Sequence, residues 1–212
     1  MKEIKENTCY IKRSFDGGID LQIFYDINIS SRAEPSYSSD IYCIDGNCQC
    51  IYYEGASFCN MTPNAEIWEK EVSKEDSQYI IGLINNAKKE TKKLLEQRSV
   101  VKKDSINVGD NILLHYSKDK KKGWYEHYIV LKVLQITKDP VRERPSTIEA
   151  KCCLNLDPYW FFSKGNKGEY DANDPDFNKA RLISDSAILK AQSILHSCSS
   201  KIIDYGNSLL QD

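Results

Sequence analysis

The sequence lacks long apolar runs and is poor in histidine, with only three in 212 residues. Its uninterrupted apolar stretches are short, as at Ile129–Leu131, whereas a membrane-spanning helix needs about 20 apolar residues in succession. A membrane protein is therefore not expected. Three histidines also leave little material for a site built from imidazole groups. Of these, His115 and His127 are expected to face each other on neighbouring strands.

An apolar signal-peptide core is likewise absent from the charged residues 1–7. We therefore expect a cytoplasmic protein in which the eight cysteines are reduced thiols rather than disulfides. On this expectation the cysteines serve either as small core residues or as metal ligands.

What the sequence does contain fits a folded domain. Charged residues make up 28% of the chain and hydrophobic residues 41%, a balance typical of globular proteins. A chain of 212 residues is long enough to bury a core without disulfides or metals. We predict one domain over residues 1–212, with β-hairpins in 1–62, helix in 63–98, strands in 99–163 and a C-terminal helix in 182–212.

Charge is distributed unevenly along the chain. Residues 1–87 hold 7 basic and 14 acidic residues, a net charge of −7. Residues 88–151 hold 16 basic and 9 acidic residues, a net charge of +7, and residues 152–212 have a net charge of −2. A basic segment between acidic ones indicates either a partner-binding surface or an electrostatic match between two parts of one fold.

The first part of the chain alternates with the period of β-strands. Ile19, Leu21 and Ile23 share one face of a predicted strand over residues 19–27, which pairs with a strand over residues 8–15. A second hairpin is predicted around Asp45-Gly46, because this dipeptide favours tight turns. Its strands cover residues 40–44 and 48–53. Later strands are predicted over 112–116, 125–136 and 147–156, and loops over 30–39 and 164–177.

Two long helices are predicted from apolar residues spaced three and four apart. The first begins after Ser73, which forms a capping box with Asp76, and ends near Gln97; a short helix over residues 63–72 precedes it. The second covers residues 184–205. Because strands cluster rather than alternate with helices, the fold class is α+β. We expect an antiparallel sheet or partly open β-barrel, with one long central helix and a C-terminal helix packed on it.

Lysines concentrate at two places in the basic segment. Lysines beside an aromatic pair, as in residues 118–125, bind phosphates and stack a base in nucleic-acid-binding proteins. If the first long helix packs alongside, the lysines of its outer face are expected to extend this patch. The predicted nucleic-acid-binding residues are Lys118, Lys120, Lys121, Lys122, Trp124 and Tyr125, with Lys88, Lys89, Lys92 and Lys93 of the helix. The alternative is a solvated hairpin tip with Trp124 folded into the core.

Four cysteines cluster around the second hairpin. If Asp45-Gly46 is a two-residue turn, Cys43 lies opposite Cys48, and Cys50 shares their face. Cys59 then completes a four-thiolate zinc site, because structural zinc takes tetrahedral sulfur ligands. The alternatives are thiols packed in an ordinary sheet and a redox pair. We therefore expect no cofactor, with zinc as the alternative.

The tripeptide Glu149-Ala150-Lys151 lies on a predicted strand. A Glu-x-Lys strand preceded by an acidic residue is the arrangement by which restriction-like nucleases place a metal ion and a water. Asp139 and Glu143 are the nearby upstream acids, but they stand in a proline-rich connection. The alternative is an ordinary charged strand.

One segment resembles a known family. The run Val108–Leu114, followed by the strand Tyr128–Ile136, resembles the first strands of PUA-like β-barrels. The resemblance covers about 30 of the 212 residues. It implies a barrel that reads a nucleobase or the shape of RNA, and it implies no catalytic residue.

These patterns predict a non-enzymatic intracellular binding protein that takes nucleic acid as its partner through a lysine-rich surface. The first alternative is a protein-binding inhibitor or immunity-type protein, whose acidic residues 1–87 cover a basic target surface. The second alternative is a metal-dependent nuclease or hydrolase that uses Glu149 and Lys151.

Overall fold

A computed structural model of the chain describes residues 8–28, 36–46, 51–58, 69–101, 106–117, 126–138, 145–156, 167–173, 177 and 179–211. In these ranges it contains two antiparallel sheets, one long central helix and one long C-terminal helix. The predicted α+β class is confirmed. None of the described helices is long and apolar enough to cross a membrane.

The chain divides into two compact units. The first unit comprises residues 1–88 and 195–212, and the second comprises residues 89–194. Each unit holds one sheet and a part of each long helix. The single domain expected from chain length stays a prediction.

The first unit contains a five-stranded sheet of β1 (Cys9–Arg13), β2 (Ile19–Asn28), β3 (Ser36–Ile44), β4 (Ile51–Phe58) and β5 (Lys70–Val72). The strand order is β4-β3-β2-β1-β5. The apolar face predicted for β2 is confirmed, since Ile19, Leu21 and Ile23 are buried, while Gln22 of the predicted polar face is buried as well. The short helix predicted to end at Val72 is wrong there, because residues 70–72 pair with β1 as a strand. The loop predicted over 30–39 is also wrong from Ser36 onward.

The second hairpin forms, but its register differs from the prediction. Ile44 pairs with Ile51, so the connection between β3 and β4 covers residues 45–50 rather than Asp45-Gly46 alone. Gly46 is required for another reason. A Cβ atom built on Gly46 would collide with the backbone carbonyl of Asp16, because the two turns approach each other closely.

The two helices follow the predicted patterns closely. Helix α1 (Lys74–Arg98) begins at the predicted capping box: the Ser73 hydroxyl accepts a 3.0 Å hydrogen bond from the Asp76 amide. Helix α2 (Asp185–Gln211) ends six residues beyond the predicted boundary at Tyr205. Their apolar stripes are buried, at Ile80, Ile84 and Ala87 on α1 and at Ile188, Ala191, Leu195, Cys198 and Ile202 on α2.

The second unit contains a six-stranded sheet of β6 (Ser99–Val101), β7 (Asn111–Ser117), β8 (Glu126–Lys138), β9 (Pro145–Asn155), β10 (Lys167–Asp171) and β11 (Arg181–Ile183). The strand order is β10-β9-β8-β7-β11-β6. One face carries an apolar core that includes Ile112, Leu114, Leu131 and Ile148. The loop predicted over 164–177 is wrong in part, because residues 167–171 pair with β9.

Candidate functional site

An aromatic pair lies on the sheet of the second unit. His115 of β7 and Tyr128 of β8 are direct cross-strand partners, and their rings stack with centroids 4.3 Å apart. The Tyr128 ring is only 3% exposed, whereas His115 is exposed. The expected His115–His127 pairing is wrong by one residue, since His127 lies opposite Tyr116. The sheet thus presents an exposed imidazole that is held by a buried phenol ring.

Helix α1 supplies two charged groups to the same place. The Lys92 ammonium lies 4.8 Å from the centroid of the Tyr128 ring, within the range of a cation–π interaction. The Tyr128 hydroxyl donates a 2.5 Å hydrogen bond to a carboxylate oxygen of Glu96. Lys92 and Glu96 reach one ring because residues four apart share a helix face. We call Lys92, Glu96, His115 and Tyr128 the Tyr128 cluster.

The other predicted lysines of helix α1 lie within four residues of Lys92 along the helix. Lys89 and Lys93 are exposed, while Lys88 and Lys92 are partly buried. All four fall within six residues of one helix, with the exposed Glu90 between them. This density gives the outer surface of α1 a positive potential that is favourable to anions.

The predicted lysine-rich tip lies outside the described residues. It comprises Lys118, Lys120, Lys121, Lys122, Trp124 and Tyr125. Its attachment points are described, however: β7 and β8 are paired as far as Ser117 and Glu126, and Ser117 is two residues from His115. The chain therefore joins the lysine-rich segment to the strand ends beside the Tyr128 cluster.

The predicted zinc ligands are only partly described. Cys43 is half-buried on β3 and lies opposite Tyr52, so the predicted Cys43–Cys48 register is wrong. Cys48, Cys50 and Cys59 lie outside the described residues, and zinc binding by the four cysteines stays a prediction. In the described ranges, no three His, Cys, Asp or Glu side chains are close enough together to hold a metal ion.

The Glu-x-Lys tripeptide lies on β9 as predicted. Glu149 forms a 3.7 Å ion pair with Lys167 of β10, and Lys151 is exposed. The upstream acids Asp139 and Glu143 lie outside the described residues, so the hydrolase reading stays a prediction.

A second feature, not anticipated from the sequence, lies in the first unit at the turns of the two hairpins. A cleft of about 370 Å³ is lined by Ser14, Phe15, Asp16, Asp20, Cys43, Ile44 and Asp45. Phe15 is fully exposed at the turn between β1 and β2. The sequence signal was an aromatic residue placed directly before the Asp16-Gly17-Gly18 turn. We call this feature the acidic cleft, after its three aspartates.

Hydrogen bonds fix the geometry of the acidic cleft. Asp16 accepts a 2.5 Å bond from the Ser14 hydroxyl and a 3.0 Å bond from the Gly18 amide. The Ser14 bond, with backbone bonds from Gly18 and Gly46, lowers the pKa of Asp16 below its ordinary value. Asp20 forms a 3.6 Å ion pair with Lys12. Asp16 therefore keeps its negative charge in neutral and mildly acidic solution.

Fold and sites together define an α+β protein with a basic aromatic cluster in one unit and an acidic cleft in the other. No protein-family model, curated protein sequence or solved structure matches the chain.

Proposed function

We propose that the protein binds nucleic acid, without catalysis, through a surface formed by the α1 lysines, the Tyr128 cluster and residues 118–125. The observation that carries the proposal is the position of Lys92 over the Tyr128 ring, 4.8 Å from its centroid. It brings the basic helix to the strand pair whose connection contains the other predicted lysines.

The charges in this region suit a polyanion. Lys89 and Lys93 are exposed on α1, and residues 118–122 add four lysines against one aspartate. Lysines that neutralise phosphates release counterions, which is the main source of affinity for nucleic acids. The proposal therefore predicts affinity that falls steeply as salt concentration rises.

The exposed imidazole supports contact with bases as well as phosphates. Base stacking on an aromatic ring tolerates any sequence, because every base presents a π face. His115 is exposed and held in place by the buried Tyr128 ring, so little side-chain freedom is lost when a base stacks on it. Such a platform suits unpaired bases rather than a closed duplex.

The test is binding of a fluorescent, mixed-sequence single-stranded oligonucleotide, measured by anisotropy over a range of salt concentrations. The triple variant Lys120→Glu/Lys121→Glu/Lys122→Glu is expected to abolish binding, and Lys89→Glu/Lys93→Glu to weaken it strongly. The matched control Lys179→Glu/Lys190→Glu/Lys201→Glu makes the same charge change at exposed lysines elsewhere and should retain binding. Absence of binding by the wild-type protein at low salt would overturn the proposal.

A second candidate function is binding of a basic protein partner at the acidic cleft. The observation that favours it is the full exposure of Phe15 beside Asp16 and Asp20. An exposed aromatic residue next to carboxylates combines an apolar anchor with attraction for a basic surface.

This candidate is tested by affinity purification from the native cell with wild-type and variant baits. Phe15→Ser should lose a basic partner that the wild-type protein retains. The control Leu189→Ser removes an exposed apolar side chain elsewhere, on α2, and should keep that partner. Equal recovery with both variants would exclude the acidic cleft as the docking site.

A further inference from the structure

Three lysines are aligned across neighbouring strands of the second sheet. Lys151 of β9 lies directly opposite Lys132 of β8 on one side and Lys167 of β10 on the other. All three side chains are exposed, and direct cross-strand partners share one face of a sheet. At about 4.8 Å between strands, the three form a straight row about 10 Å long. We call them the lysine row.

The lysine row is poorly neutralised. Lys167 forms a 3.7 Å ion pair with Glu149, and both groups are solvent-accessible, so the pair contributes little. In the described part of the chain neither Lys132 nor Lys151 forms an ion pair. Like charges directly opposite each other destabilise a sheet. Asp185 approaches the Lys132 end of the row, because Asn111, opposite Lys132, donates a 2.9 Å hydrogen bond to its carboxylate. The aligned lysines still repel one another, and an anion that lies over them would relieve this repulsion.

The neighbouring charges set the direction in which an anion runs. Two residues along the strands from the Lys151–Lys167 pair, Glu149 lies opposite Glu169. A chain of phosphates laid along the strands would meet these carboxylates. One laid across the strands follows the lysine row and avoids them. The row thus suits a linear polyanion that crosses β8, β9 and β10.

The lysine row lies within reach of the Tyr128 cluster. Lys132 and Tyr128 belong to the same strand, four residues apart, and alternation places them on the same side of β8. At about 3.3 Å per residue this separation is about 13 Å. Val130 lies between them on that side and is buried, so a nucleic acid that crosses the row would reach the cluster around this covered surface and not along β8.

We propose that the lysine row binds the phosphodiester backbone of the nucleic acid whose bases contact the Tyr128 cluster. This inference rests on the proposed function and extends it to a second surface. The row contains lysines alone and no aromatic ring, so it positions the backbone without reading bases. It adds affinity that is independent of nucleotide sequence and sensitive to salt.

The experiment compares the full-length wild-type protein with Lys132→Gln/Lys151→Gln/Lys167→Gln. The ligand is a fluorescent, mixed-sequence single strand of about 16 nucleotides, titrated over a range of salt concentrations. Each lost phosphate contact lowers the slope of log affinity against log salt by about 0.7, so the triple variant should lose about two units of slope. At about 0.1 M salt its affinity should fall at least tenfold.

Controls make each outcome decisive. Lys179→Gln/Lys190→Gln/Lys201→Gln carries the same charge change and should keep the wild-type slope. Lys151→Gln alone should lower the slope of log affinity against log salt by about 0.7. A proportionate loss in this single variant shows that the triple variant loses phosphate contacts and has not simply lost its fold. If the wild-type protein binds and the row variant matches its slope and affinity, the lysine row is excluded while the proposed function stands. If the wild-type protein does not bind the oligonucleotide at low salt, the lysine-row inference and the proposed function are both wrong. Both proposals are also overturned if the protein binds phosphatidylserine vesicles through the lysine row and does not bind the oligonucleotide.

Discussion

The hydroxyl of Tyr128 donates a 2.5 Å hydrogen bond to the carboxylate of Glu96, which joins strand β8 to helix α1. The same ring stacks against His115 and lies beneath the Lys92 ammonium. One buried phenol therefore orients three polar side chains, and its contacts can be removed one at a time.

Tyr128→Phe keeps the ring and removes only the hydrogen bond to Glu96. A hydrogen bond to a charged group contributes about 1.5–3 kcal/mol, and the exposure of Glu96 reduces this to about 1 kcal/mol. We expect the free energy of unfolding in urea to fall by that amount. Glu96→Gln keeps a hydrogen-bond acceptor and should lower the free energy of unfolding by less. An unchanged denaturation midpoint for Tyr128→Phe would show that the bond does not stabilise the second unit.

His115→Ala should weaken oligonucleotide binding with little effect on stability. Stacking of one base contributes about 1–3 kcal/mol, so we expect the dissociation constant to rise about tenfold in anisotropy titrations. His115→Phe restores an aromatic ring and should recover most of the affinity. Equal affinities for the alanine variant and the wild-type protein would remove His115 from the interface.

Asp76 should make folding stability sensitive to acid. The pKa of Asp76 lies below its ordinary value of about 3.9, because two hydroxyl groups donate hydrogen bonds to its charged form. The Ser73 hydroxyl has the larger effect and the Tyr205 hydroxyl the smaller. A lowered pKa in the folded state stabilises the fold above the unfolded pKa, and this stability is lost as pH falls through the folded value. Urea denaturation at successive pH values from about 6 downward measures this loss.

Two variants separate the contributions to this acid sensitivity. Asp76→Asn should be less stable than the wild-type protein at neutral pH and show a flatter dependence on acid. Ser73→Ala should reduce the dependence more than Tyr205→Phe, because the Ser73 bond is the larger cause. An identical pH profile for Asp76→Asn and the wild-type protein would contradict the linkage.

Gly46→Ala should destabilise the first unit. A Cβ atom at this position would collide with the Asp16 carbonyl, and forcing atoms into a packed site costs about 1–3 kcal/mol. Gly82→Ala is the matched control: a Cβ atom there meets nothing within 4 Å, and alanine favours helix α1 by about 1 kcal/mol. Thermal unfolding should therefore shift in opposite directions for the two variants. A shift in the same direction would refute the close approach of Gly46 to Asp16.

Lys151→Thr should stabilise the sheet while it weakens binding. It removes two like-charge oppositions and adds a β-branched residue, a gain of about 0.5 kcal/mol. Lys12→Thr is the comparison, because Lys12 lies opposite Asp20 and pairs with it at 3.6 Å. We expect urea denaturation to show a gain for the first substitution and none for the second. A loss of stability in Lys151→Thr would indicate that the lysine row is neutralised within the fold.

Local order was predictable because it is encoded by residues close together in the chain. The spacing of Ile80, Ile84 and Ala87 predicted helix α1, and Ser73 with Asp76 predicted its start. Alternation at Ile19 and Leu21 predicted β2. Clustering of such strands predicted the α+β class. The exposed lysines of α1 were predicted because they oppose its apolar stripe.

Pairing over longer distances was not predictable, because it depends on the geometry of connections and bulges. Asp45-Gly46 suggested a tight turn, yet Ile44 pairs with Ile51. Strands of three residues, such as β5, β6 and β11, are too short for any periodic pattern and exist because a neighbour supplies their hydrogen bonds. A slip of one residue moves every side chain to the other face.

The sequence by itself determined the α+β class, the two amphipathic helices and the concentration of positive charge in residues 88–151. Tertiary structure alone decided that Lys92 lies over Tyr128, that His115 stacks on that ring, and that Lys132, Lys151 and Lys167 form one row. The physical reason is that periodicity is local, whereas the register between strands is fixed only when hydrogen bonds, bulges and packing are satisfied together.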